Sequence, residues 1–167
     1  NPVAVSTQFR WMSGFSSLSA RTLNEIVRLE RFKNESADRV KTIWEQYHSK
    51  SLSATGFTIA ATDHSEIAKR MKDCPMFIWP LYKDDNGGHV IMLSQLLDSY
   101  VVCTYLEEYK RNPQTTSPWL SMALYSDLCA EKGIALVRSD FTANLNKTEG
   151  NLLSKMILFG YHDEKAF

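Results

Sequence analysis

The sequence predicts an α+β domain, a largely antiparallel sheet of about six strands with helices packed against it. Three observations lead there. Residues 74–95, CPMFIWPLYKDDNGGHVIMLSQ, hold two apolar runs on either side of Asn86-Gly87, a pair that tolerates positive φ and marks β-hairpins. Three further strand-like segments follow that hairpin, and successive strands joined by short turns pair antiparallel. Helical periodicity is confined to the two flanks and to one segment just before the hairpin.

The elements follow in chain order. Residues 1–24 carry Arg10, Arg21 and several serines but neither Asp nor Glu. That is the bias of a mitochondrial transit peptide, and a plain flexible terminus reads the same way. Residues 1–22 are therefore set apart as a flexible N-terminal segment, a transit-peptide remnant on the first reading, and residues 23–167 form one domain. Leu23, Ile26, Val27 and Leu29 give a roughly helical pattern through Phe32, with Thr22 as its cap. Residues 36–50 are the clearest helix. The Ser36 hydroxyl suits an N-cap, and Asp38 complements the positive end of the dipole. Val40, Ile43, Trp44 and Tyr47 then fall at i, i+3, i+4 and i+7, one apolar stripe with Trp44 in the core. Residues 52–60 read as a short strand with Phe57 and Ile59 on one face. Asp63 and Glu66 resemble a capping box opening a helix. It runs through Ile67 and Met71 to about Cys74, where Pro75 stops it.

Met76 to Tyr82 shows no polar alternation. The expectation is a strand at the centre of the sheet, covered on both faces. Pro75 and Pro80 disfavour a buried helix there, since neither donates to a helical ladder. Leu97-Asp98-Ser99 reads as a tight connection, and Tyr100 to Leu106 as a strand rich in β-branched and aromatic residues. Residues 107–118 are polar with two prolines, the pattern of a long loop or a frayed strand end. Residues 119–125 alternate as a strand, with Leu120, Met122 and Leu124 on one side. Glu131-Lys132-Gly133 turns the chain into a strand over Ile134 to Arg138. Thr148 caps a last helix with Leu152, Leu153, Met156 and Ile157 as its stripe, and Gly160 is its stop.

Composition narrows the function. Hydrophobic residues make up 44% and charged residues 23% of the chain, a globular balance. Lys plus Arg equals Asp plus Glu at 19 each, which argues against nucleic acid or an anionic membrane as main partner. No apolar run reaches transmembrane length. Cys74, Cys103 and Cys129 are widely spaced and odd in number, the pattern of buried free thiols in a reducing compartment. His48, His64, His89 and His162 lack metal-ligand spacing, and His48 at a helix end suits the negative dipole end. Gly87-Gly88 lies in a hairpin rather than ahead of a helix, so no phosphate-binding signature is present. Asp84-Asp85 reads as a solvated turn, and no GxSxG elbow occurs. The residues by themselves point to a binding protein rather than an enzyme, with no cofactor and no metal.

Four phrases resemble one family in order: LNEIVRLERFKNESADRVKTIWEQYHSK, then CPMFIWPL, then the Gly-rich turn into VIMLSQ, then CAEKGIALVRSDF. The sequence is similar to the mitochondrial ATP synthase F(1) assembly factors that chaperone the beta subunit. The most specific pieces are Ile43-Trp44 with Tyr47-His48, the CP-x-F-x-x-PL phrase and Lys132-Gly133-Ile134. The chain departs from the family pattern at His89-Val90-Ile91-Met92-Leu93, where an aromatic-rich strand is usual. It also departs at Phe57-Thr58-Ile59-Ala60, where an Ile-Pro phrase is usual. The resemblance implies a mitochondrial matrix protein without a catalytic site. It would bind unassembled F(1) beta subunit without ATP hydrolysis and prevent its aggregation, as a monomer when free and without membrane insertion. The competing reading is a permanent structural subunit of a mitochondrial complex on the same scaffold. Interface hot spots favour Trp and Tyr. This makes the hairpin residues Trp79, Leu81 and Tyr82 and the strand residues Trp119, Leu120 and Met122 the candidate contacts, against a reading that places them in the core.

Overall fold

The structure is a computed structural model that describes residues 20–83 and 88–163. The helices are α1 (Leu23–Ile26), α2 (Leu29–Lys33), α3 (Ala37–Ser49), α4 (Ala61–Asp73), α5 (Leu106–Arg111), α6 (Cys129–Lys132) and α7 (Lys147–His162). The strands are β1 (Ala54–Ala60), β2 (Met76–Tyr82), β3 (His89–Leu97), β4 (Tyr100–Tyr105), β5 (Leu120–Tyr125) and β6 (Ile134–Phe141). They form one sheet of order β1-β6-β5-β4-β3-β2. Every neighbouring pair is antiparallel. This is the α+β architecture read from the sequence.

Side chains alternate across a sheet, and here both faces are packed. On one face Trp79, Leu81, Met92, Leu120 and Met122 meet Ile67 and Met71 of α4 and Leu153 and Ile157 of α7. On the other, Ala123, Tyr125 and Leu136 meet Val40 and Trp44 of α3, with Leu23 and Phe32 alongside. Ser36 caps α3 as expected, its hydroxyl accepting from Arg39 N at 3.2 Å. The tight turn at Asp98 adopts φ 53°, a left-handed conformation that Asp tolerates better than most residues.

Several expectations change. Strand β2 is an edge strand rather than the sheet centre, and its burial alternates instead of being complete. The first helix splits in two, because Val27 is extended at φ −136° and ψ 158°. The break lets Leu23 and Phe32 both reach the α3 side of the core. Residues 106–111 form α5 rather than loop. Glu107 and Glu108 sit in its first turn and Lys110 and Arg111 in its last, which suits the dipole. No residue of α5 is buried, so there was no apolar stripe to read. Helix α4 starts at Ala61, two residues before the proposed capping box, and Glu66 instead pairs with Arg70. Residues 129–132 coil into α6 before Gly133 turns the chain at φ 68°. Strand β6 continues past Arg138 to Phe141. Helix α7 is capped by Asn146, not Thr148. Asn146 Oδ1 accepts from Glu149 N at 2.9 Å while Glu149 Oε2 accepts from Asn146 N at 2.9 Å. Gly160 does not stop α7, which runs on to His162. The Asn86-Gly87 turn, the Asp84-Asp85 pair and residues 1–19 lie outside the described residues.

Candidate functional site

The site is built on the edge strand. Leu96 N donates to Pro75 O at 2.7 Å, and Lys83 N donates to Gly88 O at 2.9 Å. With the β2–β3 register, these two bonds fix the strand's phase. Residues 77, 79 and 81 turn their backbone groups toward β3, so Met76, Ile78, Pro80 and Tyr82 turn theirs to the open edge. Proline belongs on an edge, where its missing N–H breaks no ladder bond. Pro80 therefore occupies a position that a central strand would not tolerate.

The same alternation sorts the side chains. Trp79 and Leu81 point to the core, 7% and 0% exposed. Met76, Ile78 and Tyr82 point the other way and are 48%, 55% and 69% exposed. The apolar run looked unbroken in sequence because its outward positions are apolar too. A shallow hollow of about 330 Å³ beside them is lined by Cys74, Met76, Phe77, Ile78 and Leu93. Scattered single apolar residues on a surface need no explanation, but three on one edge strand form a patch of the kind used in protein contacts.

The edge is held rigidly from behind. Trp79 Nε1 donates to Ser94 Oγ at 2.8 Å, and its ring stacks on Phe77 at 4.6 Å between centroids. A Cβ on Gly160 would lie 2.3 Å from Trp79 Cη2, so only glycine lets α7 approach the indole so closely. Tyr161 Oη donates to Cys74 O at 2.8 Å. Burial pushes its phenol up to about 12.

Of the residues singled out from sequence, Trp79, Leu81, Leu120 and Met122 are core and offer a partner no surface in this conformation. Tyr82 is exposed, and Trp119 is half-buried. Lys83 Nζ sits 5.8 Å from the Trp119 ring centroid and bonds Glu149 Oε2 at 2.8 Å. Tyr82 and Trp119 thus lie toward the same end of the sheet. Beside Trp119 a polar cleft of about 410 Å³ is lined by Glu108, Arg111, Thr116 and Asn144. Sequence reasoning missed Met76 and Ile78. Pro80 signals an edge strand, but which set of its side chains faces solvent is decided by the packing of Trp79 and Leu81 against the core. His48 lies in the last turn of α3 as read from sequence, but it is buried at 1% exposure, and burial holds its pKa below the ordinary value. Cys103 is buried and its thiol is pushed up by burial, while Cys74 and Cys129 are half-buried and free. Among the described residues no group of three or more His, Cys, Asp or Glu is placed to hold a metal ion, and no helix is long and apolar enough to cross a membrane.

The sequence profile described as ATP11 protein matches residues 6–164 of the chain. The chain belongs to the ATP11 protein family. It is similar to the human protein named ATP synthase mitochondrial F1 complex assembly factor 1, at 24% identity over 146 residues, 87% of this chain and 44% of the human protein. The mouse protein of that name is 23% identical over 147 residues, 87% of this chain and 44% of its own. The zebrafish (Danio rerio) protein is 26% identical over 120 residues, 72% of this chain and 39% of its own. The chain thus spans less than half the length of the curated ATP11 relatives it matches.

Proposed function

We propose that this chain is a non-catalytic assembly chaperone for the F(1) sector of mitochondrial ATP synthase. The observation that carries the reading is the family match over residues 6–164, with relatives named as F1 complex assembly factors. The client in this reading is the unassembled beta subunit, held in the mitochondrial matrix without nucleotide hydrolysis. The contact surface is the outward side of β2, Met76, Ile78 and Tyr82, with Trp119 toward the same end of the sheet. A partner that binds an aggregation-prone conformer lowers the free concentration of its sticky surface by mass action. An apolar patch on a rigid edge suits that work, because little freedom is lost when it docks.

The test is aggregation of isolated F(1) beta subunit followed by light scattering, with this chain present or absent and nucleotide left out. Suppression near equal molar ratio supports the passive chaperone. Folded chain that leaves scattering unchanged contradicts it. Co-purification in constant ratio with the mature complex would point to a structural subunit instead.

A further inference from the structure

Far from β2, where α3 crosses the opposite edge of the sheet, a histidine sits between partners that dictate its protonation. His48 is 1% exposed. Its Nδ1 lies 2.8 Å from Trp44 O, and its Nε2 lies 3.1 Å from Arg138 Nη1. A carbonyl only accepts and a guanidinium only donates, so the ring must carry its proton on Nδ1 and keep a lone pair on Nε2. Arg138 cannot turn away. Its Nε and Nη2 are held by Asp140 Oδ2 and Oδ1 at 2.8 and 2.6 Å. The ring also rests against the Gly56 backbone, so closely that a Cβ there would lie 2.5 Å from His48 Nδ1. A second proton on Nε2 would therefore face a donor in a closed site.

We propose that His48 is a proton-sensitive latch, whose protonation undocks α3 from the sheet while the opposite, α4 and α7 face stays folded. The two faces have separate cores, which is what lets one open alone. The ionisable groups around the ring are Arg138 and Asp140 on β6, Lys147 at the start of α7, and the neighbouring Tyr47. Lys147 Nζ bonds His48 O at 2.9 Å and also bonds Ala54 O. Tyr125 on β5 is also within electrostatic reach of Arg138. Burial, then Arg138 and Lys147, hold the His48 pKa below its ordinary 6.5, against the Trp44 carbonyl and Asp140.

The sign follows. Above pH 6.5 the ring is neutral whether α3 is docked or not, and the latch is closed. As pH falls below 6.5 the undocked ring takes up a proton before the docked one does, so acid favours opening. The opening constant then rises by up to about tenfold per pH unit, the slope of one proton. Opening bares Val40, Trp44 and the Tyr125 and Leu136 surface they cover. That is a second apolar surface, separate from the β2 patch and gated by protons.

Hydrogen exchange of the whole chain between pH 7.5 and 5, corrected for the intrinsic rate, tests this. The expected result is loss of protection in α3 by up to about tenfold per pH unit below 6.5, with α7 beyond its first turn unchanged. Helix α4, where burial also holds the His64 pKa below its ordinary value, should respond only through that residue. His48→Gln, which cannot titrate, should flatten that response, while His64→Gln should leave it intact. Nitrogen-detected NMR of the wild-type ring should show the Nδ1–H tautomer titrating below the ordinary range, and this readout stands even if His48→Gln does not fold. Unchanged α3 protection at pH 5 would overturn the proposal, as would simultaneous loss across all helices. So would a wild-type response in His48→Gln, or an Nε2–H tautomer in the native ring.

Discussion

Gly160 is the residue on which the candidate site leans most. Its missing side chain lets Trp79 lie against α7, where a Cβ would come within 2.3 Å of the ring. Gly160→Ala must push the indole out of its stack, and overpacking of this kind costs about 1–3 kcal/mol. Urea denaturation should show that loss as a lower midpoint with an unchanged slope. From sequence Gly160 read as a helix stop, because glycine marks helix ends and close approaches alike and only a partner tells them apart. Asn146 is a second such residue. Asn146→Ala removes the acceptor for Glu149 N and should cost about 1 kcal/mol, the usual loss for an N-cap, in the same measurement. Thr148 was the cap read from sequence because both residues are good caps two positions apart. The reciprocal bond with Glu149 decides for Asn146.

At the scale of elements, β2 carries the argument. Its edge position was illegible in the apolar run, since a buried central strand and an edge strand with apolar outward residues spell the same pattern. Pro80 breaks the tie, because its nitrogen faces the open edge in the observed register. Edge strands invite pairing with another chain, and proline is one way of blunting them. Pro80→Val restores an outward N–H at mid-strand. The variant should self-associate more strongly than the wild type at equal concentration, and sedimentation velocity checks it. Other elements were plain in the sequence where periodicity was strong, as in α3 with Val40 and Trp44 buried at i and i+4, although Tyr47 of the same stripe is 55% exposed. Helix α5 was missed because it is held by end charges and by a Lys110–Glu107 pair at 2.8 Å, with no buried stripe to announce it.

At the scale of the whole molecule, one sheet separates two cores, and among the described residues β2 is its last strand. The α+β class and antiparallel order could be read from turn signals, since short connections leave few topologies. The β1–β6 pairing could not, because it joins strands from opposite ends of the chain. The candidate site was half legible: the hairpin does carry an exposed apolar patch, but its Trp and Leu face inward and Met76, Ile78 and Tyr82 face out. The central claim is that this outward side of β2 holds the client. The most direct measurement is suppression of F(1) beta-subunit aggregation by Ile78→Ser/Tyr82→Ser chain beside the wild type. Both side chains are more than half exposed, so circular dichroism and the melting temperature should be nearly unchanged. The folded double variant should need at least about tenfold more protein for equal suppression, as expected where hot-spot residues carry ~2 kcal/mol. A folded double variant that suppresses as well as wild type would contradict it.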